Sequence, residues 1–485
     1  MGIVFRQSFN NTLILFLGFT IGGINVLFLY THFLEAEYFG LITFLLSTAN
    51  MIMPLLVFGM QHTIIKFFTS YQDKAAQDNF LITAILLPLL IIIPFAFIGT
   101  MFYEQIAAFL SRENIIIEKY TYTIFLVAIC MGYFEVFYAW SRVQLKSVFG
   151  NFIKEVFARI CVSCLLLSVH FGWLNPDEFV YGVLIVYSLR VVIMKLYAFH
   201  LYLPKLKWDG WPKNIKEILS FSIYIIMAGS AGTILLEIDK FMIPQLEHIA
   251  EVAYYSVGVY IASVIGIPSR AMQQIINPIT AKALNDGDLE EVENLYQKSS
   301  LNLLIVGGLL FLLINVNITE LYAIIDKPEY SVGIYIVLLI SISELIKLAL
   351  GTNGAILTNS KYYRILFYYS IGMAISVVVL NRLLIEYMGI TGAALATFSV
   401  VSVFSLLRVF YVNRKLNMQP FNSKTVILLL IISALFGAFY FITLPFNAYL
   451  NILIKSSLIL LVFISLIYKL KLSEDLNQIF SKYLG

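Results

Sequence analysis

Long apolar runs, separated by short polar turns, follow one another along the whole chain. An α-helix needs about 20 mostly apolar residues to cross the roughly 30 Å hydrocarbon core of a bilayer. Runs of this kind lie near residues 12–31, 39–59, 79–100, 120–139, 151–171, 179–200, 219–243, 252–276, 299–319, 331–352, 363–385, 391–412, 425–444 and 449–468. The pattern predicts an all-α membrane protein with about 14 transmembrane helices and short connections.

The composition agrees with lipid as the solvent for most of the chain. Apolar residues make up 60% of the 485 residues, and charged residues make up only 13%, against about a quarter in soluble domains. A water-soluble enzyme is therefore excluded. The net charge of +3 is too small to indicate a nucleic-acid partner.

The order of spans repeats itself within the chain. Spans three to six and spans nine to twelve begin at matching positions roughly 210–220 residues apart, as expected for parallel repeats in a transporter. We predict two six-helix lobes related by a pseudo-two-fold axis along the membrane normal, plus two extra C-terminal helices. The predicted boundaries are 1–200 for the first lobe, 201–218 for a cytoplasmic linker, 219–412 for the second lobe, and 413–485 for the last two helices and a cytoplasmic tail.

Lysine and arginine are distributed unevenly between the two sides of the predicted helices. They concentrate on the side that carries the N-terminus, for example at Lys213, Lys216 and Arg414, whereas Arg112 and Lys327 lie on the opposite side. Because positive residues mark the cytoplasmic side, we expect both termini in the cytoplasm and a multi-pass protein of the cytoplasmic membrane.

The sequence lacks the motifs of soluble enzymes. It contains no G-x-x-x-x-G-K-[ST], H-E-x-x-H or G-x-S-x-G pattern, so we predict no catalytic residues and no enzymatic activity. The cysteines and histidines do not have zinc-site spacing, and neither a metal nor a cofactor is predicted. Any transport would then draw its energy from an ion gradient, the membrane potential or a downhill substrate.

Charged residues inside predicted spans are the candidate functional residues, because lipid makes them costly. Arg159 and Arg190 lie near the midplane of spans five and six, and Glu155 precedes Arg159 by four residues on the same helix face. These residues are interpreted as a cationic, substrate-binding wall, since arginine binds phosphate oxygens in pairs. The alternative is a structural ion pair.

Other intramembrane charges carry weaker predictions. Lys154 and Arg142 lie closer to the cytoplasmic ends of their spans and are candidates for the cavity mouth or for anchoring. Glu135 is a weaker candidate, and Lys455 has no evident partner. Gly18 with Gly22 forms a G-x-x-x-G pattern that predicts close helix packing in span one.

A second group of charges is spaced so that its members can neutralise one another. We assign these residues a coupling or gating role, with structural pairing as the equal alternative. They are Glu237, Asp239 and Lys240 in span seven and Glu344 and Lys347 in span ten. Arg382 in span eleven is a weaker candidate for the same role.

Several local motifs occur in a fixed order along residues 1–412. They are Glu37-Tyr38-Phe39-Gly40 after span one, Lys66-Phe67 at the end of span two, Leu236-Glu237-x-Asp239-Lys240 in span seven, Asn277-Pro278 before span nine, and Gly389-Ile390-Thr391-Gly392-Ala393-Ala394-Leu395-Ala396-Thr397 at the entry to span twelve. Together they resemble the polysaccharide-biosynthesis flippases of the multidrug/oligosaccharidyl-lipid/polysaccharide (MOP) exporter superfamily.

This resemblance implies two lobes around a cationic central cavity that works by alternating access. It also implies a cargo, an oligosaccharide on undecaprenyl pyrophosphate, that is flipped to the outer leaflet for O-antigen (lipopolysaccharide), capsule or exopolysaccharide assembly. The implied partners are this lipid-linked oligosaccharide, the bilayer and, as a further candidate, the polysaccharide polymerase machinery. Three alternatives stay open: a lipid II-type flippase, a drug/cation antiporter of the same superfamily, and a membrane-embedded polysaccharide polymerase.

Overall fold

The structure, a computed structural model, describes residues 3–205 and 210–473. All regular structure in these residues is helical, which confirms the predicted all-α fold. The chain forms two compact units, Met1–Ala253 and Tyr254–Gly485. The predicted boundaries divide the chain by its order of membrane spans, not by compactness. The two lobes, the linker 201–218, the segment 413–485 and the pseudo-two-fold symmetry therefore stay predictions.

The first unit contains eleven helices. Their bounds are α1 Ile3–Ile24, α2 Tyr30–Phe33, α3 Ala36–Leu56, α4 Met60–Phe67, α5 Lys74–Met101, α6 Tyr103–Leu110, α7 Thr121–Val143, α8 Val148–Phe152, α9 Ala158–His170, α10 Pro176–Leu201 and α11 Ile215–Met242. Two π turns, Asn25–Leu29 and Ile153–Phe157, join α1 to α2 and α8 to α9. The start of α12, Ala250–Ser263, also belongs to this unit.

The second unit contains the rest of α12 and eight further helices. They are α13 Ile267–Asp286, α14 Leu289–Asn315, α15 Ile318–Ile325, α16 Ile334–Ala349, α17 Asn353–Asn359, α18 Arg364–Leu416, α19 Ser423–Tyr440 and α20 Ala448–Lys469. Several helices begin where the sequence supplies a cap. The side chain of Asn422, for example, accepts a hydrogen bond from the backbone N–H of Thr425, which satisfies a donor that the helix itself leaves free.

Every predicted span coincides with helical structure, but fewer than fourteen helices qualify as spans by length and composition. In the described part of the chain eleven do so, or twelve if the bent pair Ile215–Met227 and Gly232–Gln245 forms one span. Predicted span five corresponds to α8, the π turn and α9, which carry too many charges to qualify. Predicted spans eleven and twelve both lie within α18. The count of fourteen stays a prediction.

Helix α18 is broken at a glycine that the sequence motif contains. A continuous helix of 53 residues would be about 80 Å long, more than twice the thickness of a bilayer core. Gly389 has φ +58° and ψ −142°, a conformation that only glycine adopts readily. At Gly392, an added Cβ would lie 2.0 Å from the carbonyl oxygen of Leu384. The two glycines therefore allow the sharp break between residues 364–388 and 390–416.

Each unit has its own apolar core. In the first unit, Trp140 and Phe134 of α7 pack with buried residues of α4, α5, α10 and α11. In the second unit, Leu304 and Leu312 of α14 pack with Ile432 of α19 and Phe463 of α20. The last two helices are thus part of the second unit's core.

Large apolar side chains also cover much of the protein's outside. Phe97, Tyr387 and Phe441 are among the most exposed. A soluble monomer rarely exposes apolar surface on this scale, whereas lipid would cover it. Together with the many apolar helices, this identifies a multi-pass membrane protein.

Candidate functional site

Four of the five predicted substrate-binding residues, all except Arg190, lie on α7, the π turn Ile153–Phe157 and the start of α9. This π turn carries Lys154 and Glu155, and Arg159 follows it in α9. A π turn inserts an extra residue into a helix, and such turns are frequent at functional sites. The turn therefore sets the direction in which these charges project.

Arg159 and Glu155 form the ion pair that their spacing predicts. The guanidinium Nη1 of Arg159 lies 2.7 Å from Oε2 of Glu155, and Nη1 also donates to the backbone oxygen of Glu155. Both contacts use Nη1, so in the described residues Nη2 and Nε donate to no other group. The Arg159 side chain is 34% exposed. One edge of the guanidinium is thus held in place by Glu155, and within the described part of the chain the other edge makes no hydrogen bond.

Lys154 has a partner on a different helix. Its ammonium Nζ lies 2.6 Å from Oε1 of Glu135 on α7. The sequence placed Glu135 among the weaker candidates and did not pair it, because the two residues belong to different predicted spans. This ion pair connects the π turn of span five to span four.

Arg142 lies on α7 beside the aromatic ring of Tyr138. Its guanidinium carbon is 5.7 Å from the ring centre. His62 of α4 is near the charges of Arg142 and Glu135: burial lowers the pKa of His62, Glu135 raises it and Arg142 lowers it further. With its pKa lowered overall, His62 is neutral at pH 7 and adds no positive charge to the group.

Arg190 has an environment unlike that of the other cations. The residue is only 6% exposed, and its guanidinium carbon lies 4.5 Å from the ring centre of Phe134 and 4.7 Å from that of Tyr187. Its Nε has no hydrogen-bond partner, and no carboxylate in the described residues pairs with it. Arg190 is therefore a buried cation held by aromatic faces rather than by an opposite charge.

These residues together carry more positive than negative charge. Four cations, Arg142, Lys154, Arg159 and Arg190, stand against two carboxylates, Glu135 and Glu155, which leaves two positive charges without a carboxylate. No hydrogen bond or ion pair in the described part of the chain joins Arg190 directly to Arg159. The predicted wall is thus two sets of cations, one around the π turn and one at Arg190, and each set contacts helix α7.

The candidate coupling residues of span seven are held by polar partners. Glu237 accepts from Nζ of Lys240 at 2.8 Å through one carboxylate oxygen and from Nδ2 of Asn50 at 2.9 Å through the other. Asp239 is buried. Asn50 belongs to α3, so these bonds fix α11 to α3, a contact that sequence spacing did not reveal.

The remaining candidates form ion pairs in the second unit. Glu344 and Lys347 of α16 pair directly, as their spacing predicts, and Gly266 leaves the space that the Glu344 carboxylate fills. Arg382 lies 3.7 Å from Glu386, and its side chain is 58% exposed. Because surface ion pairs contribute little energy, Arg382 is the least constrained candidate.

Lys455 has a partner that the sequence analysis missed. Its ammonium lies 2.5 Å from Oε1 of Glu320 in α15, and the Lys455 side chain is only 4% exposed. The interpretation that Lys455 lacks a partner is therefore wrong. The two residues are 135 positions apart, so only the tertiary packing of α20 on α15 brings them together.

A family model for polysaccharide biosynthesis proteins matches residues 8–285, more than half of the chain. No curated protein matches the sequence. Among solved structures, the lipid II flippase MurJ in an inward closed conformation is similar, with a TM-score of 0.73, 13% identity, and coverage of 96% of this chain and 99% of MurJ.

Two other transporters also share the fold. An inward-facing multidrug resistance MATE family transporter of the MOP superfamily has a TM-score of 0.58 and 14% identity, with coverage of 84% of this chain and 94% of the transporter. A MOP superfamily transporter from Pyrococcus furiosus, whose binding pocket has reverse polarity, has a TM-score of 0.56 and 11% identity, with coverage of 85% and 96%. At these identities the likeness establishes the fold alone.

Proposed function

Because the chain belongs to the polysaccharide biosynthesis protein family and has a MOP-superfamily fold, we propose that it flips a lipid-linked oligosaccharide. The cargo is an oligosaccharide on undecaprenyl pyrophosphate, which moves from the cytoplasmic to the outer leaflet. It serves the assembly of a surface polysaccharide such as O-antigen, capsule or exopolysaccharide. The observation that carries this proposal is the excess of positive charge around α7 and the π turn of span five.

The free edge of Arg159 suits one part of this cargo. A guanidinium that presents two parallel N–H groups binds phosphate oxygens in pairs. Glu155 occupies Nη1 of Arg159, so Nη2 and Nε remain to face a pyrophosphate. In this arrangement Glu155 orients the guanidinium and does not compete for its ligand-binding edge.

The buried position of Arg190 suits an anionic cargo for an energetic reason. Burying a charge without an opposite charge is costly, and Arg190 has only the faces of Phe134 and Tyr187 as partners. A bound pyrophosphate supplies the missing negative charge. A cationic drug would add a like charge to the same region, which disfavours the antiporter alternative.

The ion pairs elsewhere in the membrane serve alternating access in this proposal. The chain has no nucleotide-binding motif, so transport draws on an ion gradient, the membrane potential or the downhill movement of the cargo. Glu237 with Lys240 and Glu344 with Lys347 are the pairs whose breaking and re-forming would couple to the cycle. Asp239 and Arg382 are further candidates for this role.

The proposal includes a location and an orientation. The protein lies in the cytoplasmic membrane with both termini in the cytoplasm, as the distribution of lysine and arginine indicates. The undecaprenyl chain stays in the bilayer, and the polysaccharide polymerase machinery receives the cargo on the outer side.

The central experiment removes both midplane arginines. We expect the variant Arg159→Ala/Arg190→Ala to lose surface polysaccharide export while it still inserts and accumulates normally, because the two guanidinium groups proposed to bind the pyrophosphate are then absent. Lys195→Ala is the matched control: Lys195 lies on α10 with Arg190, and its ammonium lies 5.6 Å from the ring centre of Phe199 and forms no ion pair within the described residues. Undiminished export by the double variant would overturn the proposal.

Lipid analysis of a deletion strain separates the remaining alternatives. Undecaprenyl-linked repeat units held on the cytoplasmic leaflet would support the flippase. Single units that reach the outer leaflet but stay unpolymerised would indicate a polymerase, and accumulation of lipid II would indicate a peptidoglycan precursor as cargo. Normal levels of all three lipids would contradict the whole proposal.

A further inference from the structure

The first and fifth spans share an unusual local feature. The only two π turns in residues 3–205 and 210–473 are Asn25–Leu29 in span one and Ile153–Phe157 in span five. The helices that carry them lie against each other, since α1 touches the π turn of span five and the π turn of span one touches α9. The contact between the two spans therefore coincides with the segment that carries Arg159.

Asn25 ties the backbone of span five to span one. It is 3% exposed, and its Nδ2 donates to the backbone oxygen of Arg159 at 2.9 Å. Its Oδ1 accepts from the hydroxyl of Ser163 at 2.6 Å, a hydroxyl that also lies 2.9 Å from the oxygen of Arg159. Both polar side-chain atoms of Asn25 thus form hydrogen bonds with the turn of α9 that begins at Arg159.

Gly18 leaves space for the guanidinium group of Arg159. A Cβ added at Gly18 would lie 2.9 Å from Nη1 of Arg159 and 2.7 Å from the backbone oxygen of Glu155. Gly18 and Asn25 are seven residues apart, about two helical turns, so they face the same way. The close packing predicted at Gly18 is present, and what packs there is the Arg159–Glu155 ion pair.

We propose that Gly18 and Asn25 are positioning residues that hold Arg159 in the orientation in which it binds the pyrophosphate. Asn25 fixes the position of the Arg159 backbone. Gly18, which has no side chain, lets the Arg159 guanidinium pack directly against the backbone of α1. With both in place, Nη1 remains on Glu155, and Nη2 with Nε faces the ligand. This inference rests on the proposed function of Arg159 as a phosphate ligand.

The test measures binding of undecaprenyl pyrophosphate to the purified full-length protein in detergent, beside its thermal midpoint. We expect Gly18→Ala to weaken binding about tenfold, comparable to losing one hydrogen bond to a charged group. Its thermal midpoint should fall as well, because the added Cβ would lie 2.7 Å from the backbone oxygen of Glu155, so binding is measured at a temperature at which every variant is folded. Gly99→Ala in α5, where an added Cβ has nothing within 4 Å, is the matched control and should bind as the wild type does. Asn25→Leu and Ser163→Ala should weaken binding in the same direction.

A double-mutant cycle tests whether Gly18 acts through Arg159. If it does, Gly18→Ala adds no further loss of binding to Arg159→Ala, since residues that work through one shared group are not additive. Additive losses would overturn the positioning role, and so would wild-type binding by both Gly18→Ala and Asn25→Leu. If Arg159→Ala itself binds normally, it is the proposed function of Arg159 that fails. Should Gly18→Ala not accumulate, the cycle is run with Ser163→Ala.

Discussion

Arg190 and Lys455 are both buried cations within membrane-spanning helices, yet their surroundings differ in one respect. Lys455, in the second unit, contacts the carboxylate of Glu320, whereas Arg190, in the first unit, lies between two aromatic rings with no carboxylate. A buried charge is stable when an opposite charge is built in. The comparison indicates that Lys455 is structural, and it supports our proposal that a bound pyrophosphate supplies the opposite charge for Arg190.

The largest effect is expected from leaving Lys455 without its partner. Glu320→Gln should lower the free energy of unfolding by about 3–5 kcal/mol, because an unpaired ammonium stays buried. The double variant Glu320→Gln/Lys455→Met should regain most of this loss, since no charge then remains. The thermal midpoint in detergent is the measurement, and Glu386→Gln, which breaks the exposed Arg382 pair, is the control with little change. If Glu320→Gln lowers the free energy of unfolding only slightly, Lys455 does not need its carboxylate partner, and its contrast with Arg190 disappears.

Substitution of Arg190 is expected to impair transport without lowering stability, the reverse of what we expect for Glu320. Arg190→Met should leave the thermal midpoint unchanged or raise it, because no carboxylate loses its partner, and should abolish export. Arg190→Lys keeps the charge but loses the flat group between the rings, and we expect about a tenfold drop in export, or about 1.4 kcal/mol. Export assays beside thermal unfolding provide both readouts. A strongly destabilised but transporting Arg190→Met would reverse the assignment.

The smallest effect is expected for Lys154 and Glu135, which are paired like Lys455 but are less buried. A double-mutant cycle with Lys154→Ala and Glu135→Ala should give a coupling energy in unfolding of at most about 1 kcal/mol, because solvent screens a half-exposed pair. Export by Lys154→Ala should fall further than this stability change explains if Lys154 also faces the cargo. If the loss of export by Lys154→Ala is no larger than its loss of stability explains, the Lys154–Glu135 pair is purely structural.

The sequence was most informative about contacts between residues close along the chain. The pairs Glu155–Arg159, Glu237–Lys240 and Glu344–Lys347 follow from three- and four-residue spacing on a helix, and the structure contains all three. The break at Gly389 lies within the motif placed before span twelve. Such features depend on local geometry, which the order of residues determines directly.

Contacts between helices could not be obtained in the same way. Lys154 pairs with Glu135, Lys455 with Glu320, and Asn25 with the backbone of Arg159, and no spacing rule connects the members of these pairs. Asn25 in particular carries no sequence signal beyond being an amide in an apolar span. Its role depends on the contact between spans one and five, which local spacing does not predict.

By itself the sequence determined the solvent, the helical class and which residues lipid makes costly, because these depend on counting apolar and charged residues along single helices. It also indicated the family through motifs of adjacent residues. Only the tertiary structure decided which costly charges are neutralised and which are not. That decision depends on side chains from different spans meeting within about 3 Å, the range of a charge-assisted hydrogen bond. The pairing of Lys455 and the isolation of Arg190 are therefore properties of the packed helices.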